Sequence, residues 1–197
     1  MRRGLAAAAL PWVLALLAAG CGATAPSRFY TLSATPGPAT APSELSVAVG
    51  PVTIPAAADR PQIVVAVGPN EVRLEEFHRW ASPLQSNIAR VVAENLTAML
   101  GTPRVTLSLQ PGSAGAEYRA AIEVQRFDSA VGEAATLDAV WTVSRTRDGK
   151  VQMGRTRVRE AAAGQSYEAL AAAHSRAVAR LSQDIADAVR ALDASAR

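Results

Sequence analysis

The sequence has few of the residues on which enzymes and metal sites usually depend. Its 197 residues include one cysteine, Cys21, and two histidines, His78 and His174. A single cysteine allows neither an internal disulfide nor a cysteine-based zinc site, and the two histidines are too far apart for a ligand motif. No G-x-x-x-x-G-K-[ST] loop is present, and Gly112-Ser113-Ala114-Gly115 does not match a nucleophile elbow. We therefore predict no catalytic residues, no metal site and no bound cofactor.

Long hydrophobic runs are also absent, except at the N-terminus. There Arg2 and Arg3 precede the uncharged stretch from Leu5 to Ala19, and small residues lead directly to Cys21. The stretch is too short for a permanent membrane span, whereas small residues before a cysteine suit a signal peptidase. The pattern predicts a lipoprotein signal over residues 1–20, with diacylglycerol and an N-acyl chain on Cys21. The alternative is an ordinary cleaved signal beside an incidental cysteine.

Acylation at this position would place the rest of the chain on a membrane, facing the periplasm. Several acyl chains on one residue anchor stably, whereas a single chain gives only marginal binding. Gly22 stands where an Asp would retain the protein at the inner membrane, so the outer membrane is the expected destination. Loss of Arg2 and Arg3 lowers the formal charge from +3 to +1, which does not support nucleic-acid binding.

The pattern beyond the signal predicts one α+β domain. Residues 21–44 contain a short strand and a linker rich in Pro and Ala, and residues 45–197 form the domain. Alternating apolar residues predict strands at 28–32, 45–54, 62–67, 71–75, 105–109, 118–124, 137–143 and 151–159. Ser82 and Gln85 form a capping box for one helix, which ends at Gly101, and a second helix covers 166–194. We expect a mainly antiparallel sheet with two amphipathic helices packed on one face.

Basic residues are concentrated on the last strand. Arg155, Arg157 and Arg159 share one face of it, and like charges side by side are unfavourable unless something screens them. A functional interpretation is a contact for an acidic protein surface or for lipid phosphates. The alternative is a solvated face that protects the edge of the sheet from aggregation.

Several short motifs together resemble one protein family. The order IP…DRPQIV…W..PL stands out within the set Phe29-Tyr30-Thr31-Leu32, Gly50–Pro55, Asp59–Val64, Asn70-Glu71, Trp80–Leu84, Arg90, Asn95-Leu96, Phe127 and Leu137–Trp141. With these motifs the chain resembles the PqiC-like ABC-transport auxiliary lipoproteins over almost all of its mature length. Ala57 and Ala58 depart from the family, in which bulkier residues are common at these positions.

The resemblance implies a non-catalytic subunit of an MCE-type intermembrane lipid transport system that supports envelope integrity. Its partner would be a PqiB-like periplasmic MCE-domain protein, with sibling copies as a further partner. The alternative is an outer-membrane adaptor of another assembly, such as a cell-wall synthase activator.

Within the family motifs, Asp59, Arg60 and Trp80 are the candidate partner contacts. Arg and Trp often dominate binding energy at interfaces. The alternative is that Asp59 and Arg60 pair with each other locally while Trp80 caps the core.

Overall fold

The computed structural model describes residues 25–35, 37 and 40–195 of the chain. Cys21, and with it the lipoprotein-signal prediction, lies outside the described residues. The elements are β1 (Arg28–Tyr30), β2 (Val47–Thr53), β3 (Gln62–Gly68), β4 (Glu71–Trp80), α1 (Leu84–Leu100), β5 (Val105–Leu107), a 3₁₀ turn (Pro111–Ser113), β6 (Tyr118–Ala130), β7 (Ala134–Arg145), β8 (Val151–Ala161) and α2 (Tyr167–Ala194). The α+β class is confirmed.

The sheet is built around the long strand β6. On one side β6 pairs with β7, which pairs with β8, and both ladders are antiparallel. On the other side β2 pairs with the first half of β6, and β3 meets it near Ser129. Strand β5 extends the β2 end, while β4 and then β1 extend the β3 end. The sheet is mixed, because the β2–β5, β2–β6, β3–β6 and β1–β4 pairings are parallel.

Helices α1 and α2 pack against each other and against the sheet. The apolar stripe of α2 is buried along its length, and Ser166 caps the helix by accepting a hydrogen bond from the Ala169 amide. Gly101 ends α1 in the left-handed conformation at φ 64°, where a Cβ added to this residue would collide with the Ala41 carbonyl oxygen. Within the described residues, neither helix is long and apolar enough to cross a membrane.

The predicted capping box of α1 is wrong. The N-cap is Pro83, without a side-chain hydrogen bond, and Ser82 lies outside the helix. Gln85 donates instead to the Val52 carbonyl, next to a register shift that separates Val49 from Val52 in the β2–β6 ladder. The β2–β6 ladder is thus irregular at this point, and the Gln85 side-chain amide binds the β2 backbone there instead of capping its own helix.

The first residues of the predicted linker form hydrogen bonds with both α1 and α2. Leu32 is only 1% exposed, and the Ser33 and Thr35 amides donate to Ser175 and Asn95 at 3.1 and 2.9 Å. Asn95 is itself fully buried and donates onward to Ser182 at 3.2 Å. Buried polar groups between the helices thus satisfy backbone atoms of the incoming chain. The domain boundary at residue 45 stays a prediction.

Candidate partner-binding site

Two of the family motifs meet in space at one end of the sheet. The loop from Pro55 to Pro61 joins β2 to β3, and the segment from Trp80 to Leu84 joins β4 to α1. The Trp80 amide donates to the Pro61 carbonyl at 2.7 Å, which ties the two segments together. Between them is an open cavity of about 310 Å³, lined by residues 59–61 and 80–84. We call this cavity the notch.

The rim of the notch carries two exposed charges, Asp59 and Arg60. The loop beneath them is held by its own backbone, since the Ala58 and Asp59 amides donate to the Pro55 carbonyl at 2.9 and 3.1 Å. Among the described residues, neither charged side chain has an ion pair or a hydrogen bond. The local pairing considered as an alternative is therefore not what positions this loop.

The floor of the notch is part of the hydrophobic core. Trp80 is only 6% exposed, and its ring meets Phe127 and His174 edge-on at centroid distances of 6.1 Å. His174 stacks on Phe127 at 3.9 Å and hydrogen-bonds to the Ser129 hydroxyl at 2.8 Å. Burial lowers the pKa of His174 from 6.5 to about 3, so the ring is neutral at pH 7. The structure places Trp80 as a support beneath the rim.

The three arginines of β8 are paired with carboxylates. Arg155 binds Asp138 through two contacts of 2.7 Å, and Arg157 reaches the same carboxylate at 3.0 Å. These hydrogen bonds, chiefly from Arg155, lower the pKa of Asp138 to about 2. Arg159 lies 3.4 Å from Glu133. Since β8 pairs with β7 alone in the described sheet, this arrangement favours an edge-protecting face.

A larger groove runs beside β1, and sequence reasoning missed it. It has a volume of about 1030 Å³ and is lined by β1, residues 31, 33 and 35, His78 and the start of α2. The His78 ring stacks on Tyr167 at 3.8 Å, and its Nδ1 shares a 2.8 Å hydrogen bond with the Tyr30 hydroxyl. The only sequence signal was aromatic residues in three distant segments. In the part of the chain described here, no group of three His, Cys, Asp or Glu side chains could hold a metal ion.

Comparison with solved structures shows which known fold the chain adopts. A protein from Xanthomonas campestris in family DUF330 has a TM-score of 0.69 at 20% identity, covering 88% of this chain and 100% of that chain. A second structure, described only as an uncharacterized protein, has a TM-score of 0.69 at 17% identity, with coverage of 83% and 98%. At these identities the likeness shows the fold alone.

The family follows from the sequence match. The model of the ABC-type transport auxiliary lipoprotein component matches residues 30–186. The chain belongs to this family, and the predicted resemblance is confirmed. A PelC dodecamer from Paraburkholderia phytofirmans also matches at 16% identity, over 77% of this chain and 96% of that chain, but its TM-score of 0.40 carries no argument. No curated protein matches the chain.

Proposed function

We propose that this protein is the outer-membrane lipoprotein subunit of an MCE-type lipid transport system, and that it docks the periplasmic MCE-domain protein through the notch. Family membership supports a role as an accessory to transport. The observation that carries the docking proposal is the pair of exposed charges, Asp59 and Arg60, without a partner among the described residues, above a buried aromatic floor.

The physical argument is that docking at the notch breaks no ion pair of the rim residues and orders no flexible loop. A partner that hydrogen-bonds to Arg60 does not have to displace an intramolecular ion pair, and charge-assisted hydrogen bonds are the stronger kind. The loop is already fixed by Pro55, Pro61 and three backbone hydrogen bonds, so binding costs less conformational entropy than ordering a free loop. Trp80 supports this loop through the Pro61 carbonyl.

The membrane part of the proposal depends on Cys21. Acyl chains on this residue would hold the domain at a membrane, in agreement with the family description as a lipoprotein component, and Gly22 supports the outer membrane as the location. We expect Cys21→Ser to abolish labelling with radioactive palmitate and to leave either an uncut precursor or a domain that no longer partitions with membranes. Retained labelling in this variant would contradict acylation at Cys21, and wild-type protein found wholly with inner-membrane markers would contradict the location.

The test of function is affinity capture of the full-length protein from envelope extract. The expected result is co-purification of an MCE-domain protein, identified by mass spectrometry, together with sibling copies detected through a second epitope tag. Cys21→Ser prepared from the soluble fraction is the control, since docking through the notch does not require the lipid. Capture of a cell-wall synthase without any MCE-domain protein would overturn the proposal in favour of the alternative adaptor role.

A further inference from the structure

Exposed apolar side chains are concentrated at one edge of the sheet. Of the eight large hydrophobic residues that are exposed in the described chain, five lie on β1, β3 or β4, namely Phe29, Val67, Val72, Leu74 and Phe77. Single exposed apolar residues need no explanation, but a group on one edge marks a contact surface. The edge is also open among the described residues, because β1 pairs with β4 only over His78–Trp80. No described strand pairs with Glu71–Phe77 of β4 on that side.

The chain that leads to the lipid leaves the domain at this same edge. Strand β1 is parallel to β4 with Arg28 opposite His78, so towards its N-terminus β1 points along β4 to the β3–β4 turn. At about 3.3 Å per residue, Val72 lies roughly 20 Å from His78 in that direction. The seven residue steps from Cys21 to Arg28 span at most about 25 Å when fully extended. The segment from Cys21 to Arg28, which we call the tether, is thus at most slightly longer than the distance along β4 from His78 to Val72.

From this geometry we propose that the β3–β4 hairpin rests on the surface of the bilayer that holds the acyl chains, with Val67, Val72 and Leu74 in the interfacial region. The proposal rests on the anchor at Cys21 but not on docking at the notch. A tether of this length keeps the hairpin close to the membrane whether the domain stands upright or leans over. For a second copy or another protein at this edge there is no comparable argument, because the acyl chains on Cys21 insert into the bilayer and hold this edge near the bilayer alone.

The charges on the hairpin indicate what kind of contact this is. Arg73 pairs with Glu75 at 2.6 Å. Strands β1, β3 and β4 together carry three arginines and three glutamates, namely Arg28, Arg73 and Arg79 with Glu71, Glu75 and Glu76, so this edge has no excess of one sign. Attraction to phosphate would need an excess of basic residues and would weaken in salt. We therefore expect an apolar contact that persists in high salt and on vesicles of uncharged phosphatidylcholine.

The experiment uses full-length acylated protein in phosphatidylcholine vesicles. Because Cys21 is the only cysteine and is acylated, an introduced cysteine is the one reactive thiol. Val72→Cys, 60% exposed in the wild type, carries an environment-sensitive NBD dye, and Val67→Cys is a second position on the hairpin. Leu109→Cys and Met153→Cys are matched controls, since both residues are exposed, at 98% and 68%, and lie outside the hairpin. Nitroxide-labelled lipid is the quencher.

The expected result is a blue-shifted emission at positions 72 and 67, most of which is lost when the nitroxide lipid is present, in low and high salt alike. Positions 109 and 153 should emit as in water and escape quenching. Equal behaviour at all four positions would overturn the proposal. A blue shift without quenching by lipid would also overturn it, because protein and not bilayer would then cover the hairpin. The vesicles contain no MCE-domain protein, so either result leaves docking at the notch to its own test.

Discussion

The rim and the floor of the notch come from two motifs of the same family, yet they differ completely in environment. Asp59 and Arg60 are exposed and lack side-chain partners among the described residues, whereas Trp80 is 6% exposed and touches two buried rings. The difference teaches that the family motifs contain residues of two kinds, some for binding and some for stability. The rim offers groups to another molecule, and the floor fixes where those groups stand.

This comparison separates stability from binding. A substitution in the floor should lower the free energy of unfolding and disturb docking only as a consequence. A substitution at the rim should weaken docking and leave the free energy of unfolding almost unchanged, because exposed side chains away from caps and buried networks contribute little.

The largest effect is expected for Trp80→Ala. Loss of a buried indole beside Phe127 and His174 leaves a cavity, and such changes cost about 3–5 kcal/mol of unfolding free energy. Denaturant unfolding followed by circular dichroism measures this, with Trp80→Phe as a milder control. A loss below about 1 kcal/mol would show that the ring is not a support and would remove the distinction between floor and rim.

A smaller effect is expected from acid, through His174 in the same floor. Its folded-state pKa of about 3 lies below the unfolded value of 6.5, so the unfolded chain binds a proton first as the pH falls. The stability that His174 contributes is complete above about pH 6.5 and is lost as the pH falls towards 3. Unfolding free energies at pH 7.5 and 5 should therefore differ in the wild type and differ less in His174→Phe. An unchanged pH dependence in the variant would contradict this assignment.

The smallest effect is expected at the basic face of β8. The Arg157 side chain is 68% exposed and shares Asp138 with Arg155, so Arg157→Ala should cost at most about 1 kcal/mol. Affinity capture of the MCE-domain protein should be unaffected. If this variant failed to capture the MCE-domain protein, the docking surface would be at β8 and not at the notch.

Much of the fold could be predicted because it depends on local patterns. The apolar stripe of α2 follows from neighbouring residues, as do the alternating strands of the β6–β7–β8 ladders. The cap of α1 could not be predicted, since Gln85 is attracted by the distant Val52 carbonyl. The parallel pairings were also missed, because they join strands that are separated by a helix or by long stretches of chain.

The candidate site was predicted in part. The family motifs singled out Asp59, Arg60 and Trp80 as candidate contacts, and the structure brings their segments into one notch. Residue type alone did not distinguish a buried tryptophan from an exposed one, because both environments suit this side chain. The burial of Arg145 could not be predicted from the sequence either. It depends on hydrogen bonds to the Asp148 carboxylate at 2.9 and 2.7 Å and to the Leu192 carbonyl.

The most direct test of the docking proposal compares two exposed arginines without side-chain partners among the described residues, Arg60 at the rim and Arg147 away from it. The dissociation constant of the captured MCE-domain protein should rise about 30-fold with Arg60→Ala, which corresponds to roughly 2 kcal/mol at an interface hot spot. Arg147→Ala should leave it unchanged, and both variants should melt like the wild type. Equal affinities for the two variants, or a large fall in Tm with Arg60→Ala alone, would contradict docking at the notch.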